Sequence, residues 1–174
     1  MRIDVTLVAC RRPDALARSL ASLDRHVLSR FEIERVWCNV DPAFGTEDAG
    51  AECEALLCSR FANVTVWQPE TPSFGAAVRR VWSQADTATV LHLEDDWEAL
   101  GPIGPEQVRP LLGGDVATAR PAVANRNVVP GAPFLTRKVR SLCFPYLGVR
   151  RRLVSQFSTG PMFAGPRFCA ATRA

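Results

Sequence analysis

Three consecutive carboxylates, Glu94, Asp95 and Asp96, close the apolar run Val90-Leu91-His92-Leu93, and Glu98 follows closely. Like charges at that spacing repel, and holding them at the edge of a core is costly unless a positive group offsets them. Four arrangements would resolve the conflict. The cluster could be solvated surface charge. Neighbouring arginines could neutralise it in an ion network. Two of the carboxyls could work as general acid and base. Or a hard divalent cation, Mg²⁺ or Mn²⁺, could take one or two carboxylates and complete its shell with water and phosphate oxygens. Surface charge, the usual reading of an acidic triplet, is weakened here because the cluster sits directly at the end of an apolar strand. A cation explains it best.

The elements around the cluster fix where it must lie. Residues 3–9 are an apolar, β-branched run of strand length. Pro13 then opens a stretch with Leu16, Leu20, Leu23 and Val27 on one helical stripe. A second strand is predicted over 33–40, ending at Asp41-Pro42, and a helix follows in TEDAGAECEALLCSRF, its acids placed to suit the dipole and Cys53, Leu56 and Leu57 on one side. A third strand reads at 63–68. Ser73 is a candidate N-cap for a helix carrying Val78, Val81, Trp82 and Ala85. The strand at 88–93 then delivers the acidic cluster.

This alternation predicts an α/β fold, a mostly parallel sheet with helices on both faces. Ligands of such sheets bind beyond the carboxyl ends of the strands. Cys10-Arg11-Arg12, Asp41-Pro42 and Glu94-Asp95-Asp96 should therefore converge on one edge. Two guanidinium groups meet the carboxylates there, and a guanidinium fork suits phosphate oxygens. Past residue 100 the pattern weakens. One short helix fits 105–112, DVATARPAV reads as a fifth strand, and GPMFAG (160–165) as another in a sheet of mixed direction.

With 174 residues, the chain reads as one domain, 1–174. A net charge of +3 is too small to indicate a nucleic-acid partner. Lys138 is the sole lysine, as a coding bias toward arginine would produce. No secretory pattern and no membrane-spanning stretch is present. The six cysteines form no CxxC pair, and His26 and His92 are the only histidines, so no zinc constellation assembles. Reduced, mostly buried thiols in a cytoplasmic protein are expected. His92, inside an apolar strand, reads as a core histidine, and the four tryptophans read mainly as core.

Three segments together resemble the nucleotide-sugar glycosyltransferases of the GT-A fold, specifically family 2. VTLVACRRPDALARSLASL is similar to the family's first strand and helix, CNVDPAFGTED to its second-strand turn, and PSFGAAVRRVWSQADTATVLHLEDDWE to its helix, strand and Asp-x-Asp metal motif. The resemblance covers roughly residues 3–98, the donor half, and leaves 99–174 as the acceptor half. It implies a metal-dependent transferase moving a sugar from a nucleoside-diphosphate donor, most simply a UDP-sugar. Asp96 would be the principal metal ligand, with Glu94 and Asp95 beside it or near the ribose. Asp41 would bond the nucleobase, and its alternative as a turn initiator is equally weighted. Ala9, Cys10 and Arg11 would line base and ribose, Arg11 and Arg12 would serve the diphosphate, and Gly75 with Arg79 or Arg80 would flank it.

The chain departs from the family at three points. Glu94 stands where Asp is commoner, and Arg79 where Asn is common. Inverting members also need a base in the acceptor half, and Asp115 is the only carboxylate between Gly114 and Ala174. The GPMFAGPRF segment resembles the acceptor-side strand, after which a base-bearing helix would follow, so either the chain is a short or truncated member, or the base comes from elsewhere, or a retaining mechanism needs none. A donor-binding module without turnover is the alternative. A nucleotidyltransferase ranks last, since ACRRPD offers neither Gly nor Lys for a phosphate loop. The basic run Arg137 to Arg152 reads as solvated surface or as a contact for a phosphate-bearing acceptor, such as a polyprenyl phosphate at the inner membrane face.

Overall fold

A computed structural model describes residues 1–86, 89–112, 118–119 and 161–165. The β-branched run at the start forms β1 (Arg2–Cys10), and the Leu-striped segment forms α1 (Pro13–His26), with Pro13 in its first turn. A 3₁₀ turn (Leu28–Arg30) leads into β2 (Glu32–Asp41), followed by α2 (Glu47–Arg60), β3 (Val64–Trp67), α3 (Phe74–Gln84) and β4 (Val90–Glu94). Then come α4 (Pro105–Val108), β5 (Thr118–Ala119) and β6 (Met162–Ala164). The strands form one six-stranded sheet in the order β3-β2-β1-β4-β6-β5. β1, β2, β3 and β4 run parallel, whereas β6 pairs antiparallel with both β4 and β5. This is the α/β architecture, with the mixed direction, that the sequence predicts.

β1 lies at the centre, and its residues from Ile3 to Ala9 are buried without interruption. A strand covered on both faces needs no polar alternation. On one face Ile3, Val5, Leu7 and Ala9 join Val36, Cys38, Val40, Leu91 and Leu93 beneath the stripe Leu16, Leu20, Leu23 of α1 and Cys53, Leu57 of α2. On the other, Val8 meets Ala77, Val78 and Val81 of α3, with Trp37, Trp67 and Trp82 packed around them.

The α3 face also buries polar groups, which pair by clear donor and acceptor logic. His92 is fully buried; its Nδ1 lies 2.9 Å from Thr6 Oγ1 and accepts from Trp82 Nε1 at 3.0 Å. An indole N–H can only donate, so Nδ1 is an acceptor and the neutral ring carries its proton on Nε2. The core-histidine reading holds. Arg80 reaches down from α3 to Asn39 Oδ1.

Local signals explain the element ends. Ser73 caps α3, its hydroxyl accepting from the Ala76 amide at 3.4 Å. Thr46 does the same for α2 through Ala49 at 3.2 Å. α4 stops at Val108 and does not reach 112, because Pro110 has no N–H with which to extend the ladder. The region predicted as a fifth strand contributes Thr118–Ala119 among the described residues. Asp115 and the basic run 137–152 lie outside them.

Candidate functional site

The register carries the ends of the three central strands to one edge. Cys10 pairs with Asp41 across β1 and β2, and Val8 pairs with Glu94 across β1 and β4. The segments after β1, β2 and β4 therefore converge, as the topology requires.

The three acids at the end of β4 have separate surroundings. Asp95 turns inward and is buried, with a side chain 4% exposed. Its Oδ2 accepts from the Cys10 amide at 2.9 Å and from Arg12 Nε at 3.3 Å, and its Oδ1 accepts from Arg12 Nη2 at 2.6 Å. This fork joins the carboxyl ends of β1 and β4, and the bond to Asp95 raises the Arg12 pKa further. Asp96 turns outward, its side chain 54% exposed, with Arg12 Nη2 at 3.8 Å. Glu94 accepts from Trp97 Nε1 through Oε2 at 3.1 Å, while its Oε1 is buried with no hydrogen-bond partner. The positive group beside the cluster is thus Arg12, the ion network among the four arrangements. Its guanidinium was expected to meet phosphate; in this structure it is bound to a carboxylate.

Two hydroxyls of α1 hold the acidic loop in place. Ser19 donates to the Trp97 carbonyl at 2.7 Å, and Ser22 Oγ accepts from the Ala99 amide at 3.1 Å. Sequence reasoning missed both. Their signal was available, since Ser19 and Ser22 are polar residues one turn apart between the leucines of an otherwise apolar stripe.

Asp41 is also buried, and each of its oxygens accepts one backbone bond. Its Oδ1 accepts from the Ala43 amide at 3.0 Å, which is the turn-initiating role, and its Oδ2 accepts from the Ser73 amide at 2.9 Å at the start of α3. One carboxylate thus ties the β2–α2 loop to the N-terminus of α3. Gly45 in that loop has φ +75°, and a Cβ there would collide with the Arg11 carbonyl oxygen and stand 2.9 Å from Arg11 Cβ. Only glycine suits both constraints. Arg11 runs the other way from Arg12, toward α2, where a Cβ on Gly50 would stand 3.1 Å from its Nε. That Nε is buried without a hydrogen-bond partner, and among the described residues Arg11 forms no ion pair.

The remaining predicted residues divide. Ala9 is buried in the core, and Cys10 contributes its amide to Asp95. Gly75 is exposed, and a Cβ on it would touch nothing within 4 Å. Arg79 is exposed, whereas Arg80 is committed to Asn39. Burial, reinforced by Asp95, pushes the Cys10 thiol up to about 11. Cys38 and Cys53 are pushed up by burial as well, so these thiols are protonated and inert at neutral pH, as expected of reduced core cysteines. Phe44 and Phe74, 59% and 50% exposed, stand one residue beyond the two amides held by Asp41. Neither was singled out from sequence.

Among the described residues, no group of three or more His, Cys, Asp or Glu side chains is arranged to hold a metal. A hard cation that draws most of its shell from water and phosphate needs fewer protein oxygens. Exposed Asp96 and the orphaned Oε1 of Glu94 fit that requirement. No helix among the described residues is long and apolar enough to cross a membrane.

No protein-family model and no curated protein matches the chain. Solved structures do. S. aureus TarS matches with a TM-score of 0.53 and 16% identity over 75% of this chain and 23% of that one. TarS 1-349 in complex with UDP-GlcNAc matches with 0.44 and 20% identity over 63% and 30%. A mannosyltransferase from Pyrobaculum calidifontis in complex with GDP-Man and Mn²⁺ matches with 0.47 and 14% over 71% and 36%. The chain therefore spans about a quarter to a third of these structures. At such identities the likeness is one of fold, carried by the first match: the chain shares the α/β fold of TarS over the part it covers.

Proposed function

We propose that this chain binds a nucleoside-diphosphate sugar, a UDP-sugar before others, at the carboxyl edge of β1, β2 and β4, and that it is the donor-binding part of a family 2-like glycosyltransferase. The observation that carries this reading is the way two buried aspartates brace the edge. Asp95 locks the ends of β1 and β4 together, and Asp41 locks the β2–α2 loop to α3. Beside them stand exposed Asp96, met only by the long Arg12 contact at 3.8 Å, and Arg11, whose Nε has no partner. A rigid edge presenting one exposed carboxylate for a divalent cation and one unpaired guanidinium suits a diphosphate.

In this reading Asp96, with Glu94 Oε1 and Asp95 nearby, holds a Mn²⁺ or Mg²⁺ ion. The ion supplies Lewis-acid stabilisation of the leaving diphosphate. Arg11 approaches the same anion from the α2 side. Asp41 meets the nucleobase: a carboxylate offers about four lone-pair sites, and two are occupied by the Ala43 and Ser73 amides. The acceptor, a saccharide or a lipid-linked species, would be chosen by the C-terminal third.

A second reading is a donor-binding module without turnover. The first test is calorimetric titration of the purified chain with UDP, GDP and CDP, each with and without Mn²⁺. Metal-dependent binding of one nucleotide supports the donor site and identifies its base. No binding by a folded chain refutes both readings. Hydrolysis or transfer of the matching nucleotide sugar then separates enzyme from module.

A further inference from the structure

The acids that end β4 already have a cation. One Arg12 nitrogen, Nη2, lies 2.6 Å from Asp95 Oδ1 and 3.8 Å from Asp96 Oδ2, so a single guanidinium spans both aspartates. It is not sealed in, since the Arg12 side chain is 37% exposed. On its other side its Cζ stands 5.5 Å from the centre of the exposed Phe44 ring, a cation–π distance. Arg12 thus has two resting surfaces, a carboxylate pair and an aromatic face. The bond to the Asp95 side is short and forked. The contact to Asp96 is long and on the solvent side.

Two like charges cannot share the Asp96 carboxylate at ion-pair distance without strong repulsion. We propose that Arg12 is the resident counter-ion of the acidic edge. It gives up Asp96 when a divalent cation takes that carboxylate, while its fork stays on Asp95, and the solvent-side N–H so released turns to the diphosphate. Metal and nucleotide then bind with positive coupling through one side chain. The second half rests on the donor-site reading given above, whereas displacement by the metal alone does not. Sequence reasoning gave Arg12 to phosphate and the structure gives it to carboxylate, and the exchange makes these two states of one group.

The test compares Mn²⁺ binding to the folded full chain, read from the free-ion electron paramagnetic resonance signal, for the wild type, Arg12→Gln and Arg12→Lys. Without nucleotide, Arg12→Gln should bind Mn²⁺ about tenfold more tightly than the wild type, with Arg12→Lys between them. UDP should raise Mn²⁺ affinity in the wild type, and Mn²⁺ should raise UDP affinity by the same factor. Arg12→Gln should lose most of that factor. Equal or weaker Mn²⁺ binding by Arg12→Gln overturns the proposal, as does no binding by either protein. Should Arg12→Gln fail to fold, the wild type alone decides. Phenylglyoxal modification at Arg12, read by peptide mass, should rise about threefold when Mn²⁺ is added alone. Unchanged or reduced modification overturns displacement. If none of UDP, GDP and CDP binds while the metal results hold, the donor-site reading and the coupling fall, and displacement stands.

Discussion

Replacing Asp95 by Asn tests whether the buried acid is a brace. The change keeps the shape and leaves an oxygen able to accept from the Cys10 amide, but it removes the charge that holds the Arg12 fork at 2.6 Å and 3.3 Å. Breaking a fully buried ion pair costs about 3–5 kcal/mol, and an exposed pair contributes about 0–1 kcal/mol. Here one side chain is 4% and the other 37% exposed. The expected loss is therefore intermediate, about 1.5–3 kcal/mol. Asp95→Ala also strands the Cys10 amide, adding roughly 1–2 kcal/mol. Asp96→Asn is the control: its side chain is 54% exposed, and the change should stay within about 0.5 kcal/mol. Urea unfolding followed by tryptophan fluorescence measures all three, with the slope unchanged if only the native state is affected. Asp96→Asn should nevertheless abolish metal-dependent nucleotide binding. The reasoning is refuted if Asp95→Asn is as stable as the wild type, or if both Asn variants lose the same stability.

Gly45→Ala must adopt a positive φ and push against the Arg11 backbone, so it should lose at least about 1–2 kcal/mol and weaken nucleotide binding; a neutral melting shift would contradict the close approach. Asp41→Ala should release the Ala43 and Ser73 amides, and hydrogen exchange at both should accelerate together; protection retained at either would show that another acceptor holds it. At pH 8, iodoacetamide should label exposed Cys58 well before Cys10, whose rate should climb only as pH approaches about 11. Because the folded value lies above the ordinary thiol value of 9.0, stability associated with the neutral Cys10 thiol is full below pH 9 and is lost as pH rises through about 11. Labelling of Cys10 as fast as Cys58 at pH 8 would refute its burial.

The elements were legible because each was signalled locally. Leu16, Leu20, Leu23 and Val27 are all buried where their spacing put them, and Ser73 caps the helix it precedes. The convergence of three strand ends followed from topology alone. The division of labour within each cluster did not. Which of three adjacent acids faces inward depends on the register of β4 against β1, and the Asp95 contact to Cys10 joins residues 85 apart. The opposite paths of Arg11 and Arg12 depend on the turn that leaves β1, and Asp41 finds its second amide 32 residues away. Long-range pairings of this kind leave no periodic trace in a single sequence.

The central place of β1 has a consequence for how the protein comes into being. The strand made first is flanked by β2, which emerges some thirty residues later, and by β4, which emerges only after residue 90. Contacts of such high sequence separation form slowly. On the donor-site reading, the edge cannot hold ligand until β4 docks and Asp95 closes on the Cys10 amide, so competence arrives with the pairing of β1 and β4. A ligand recognised there would bind only once that pairing exists and would stabilise it by mass action. On that reading the same edge doubles as a checkpoint on the fold, and nucleotide supplied during refolding should raise the yield of assembled protein.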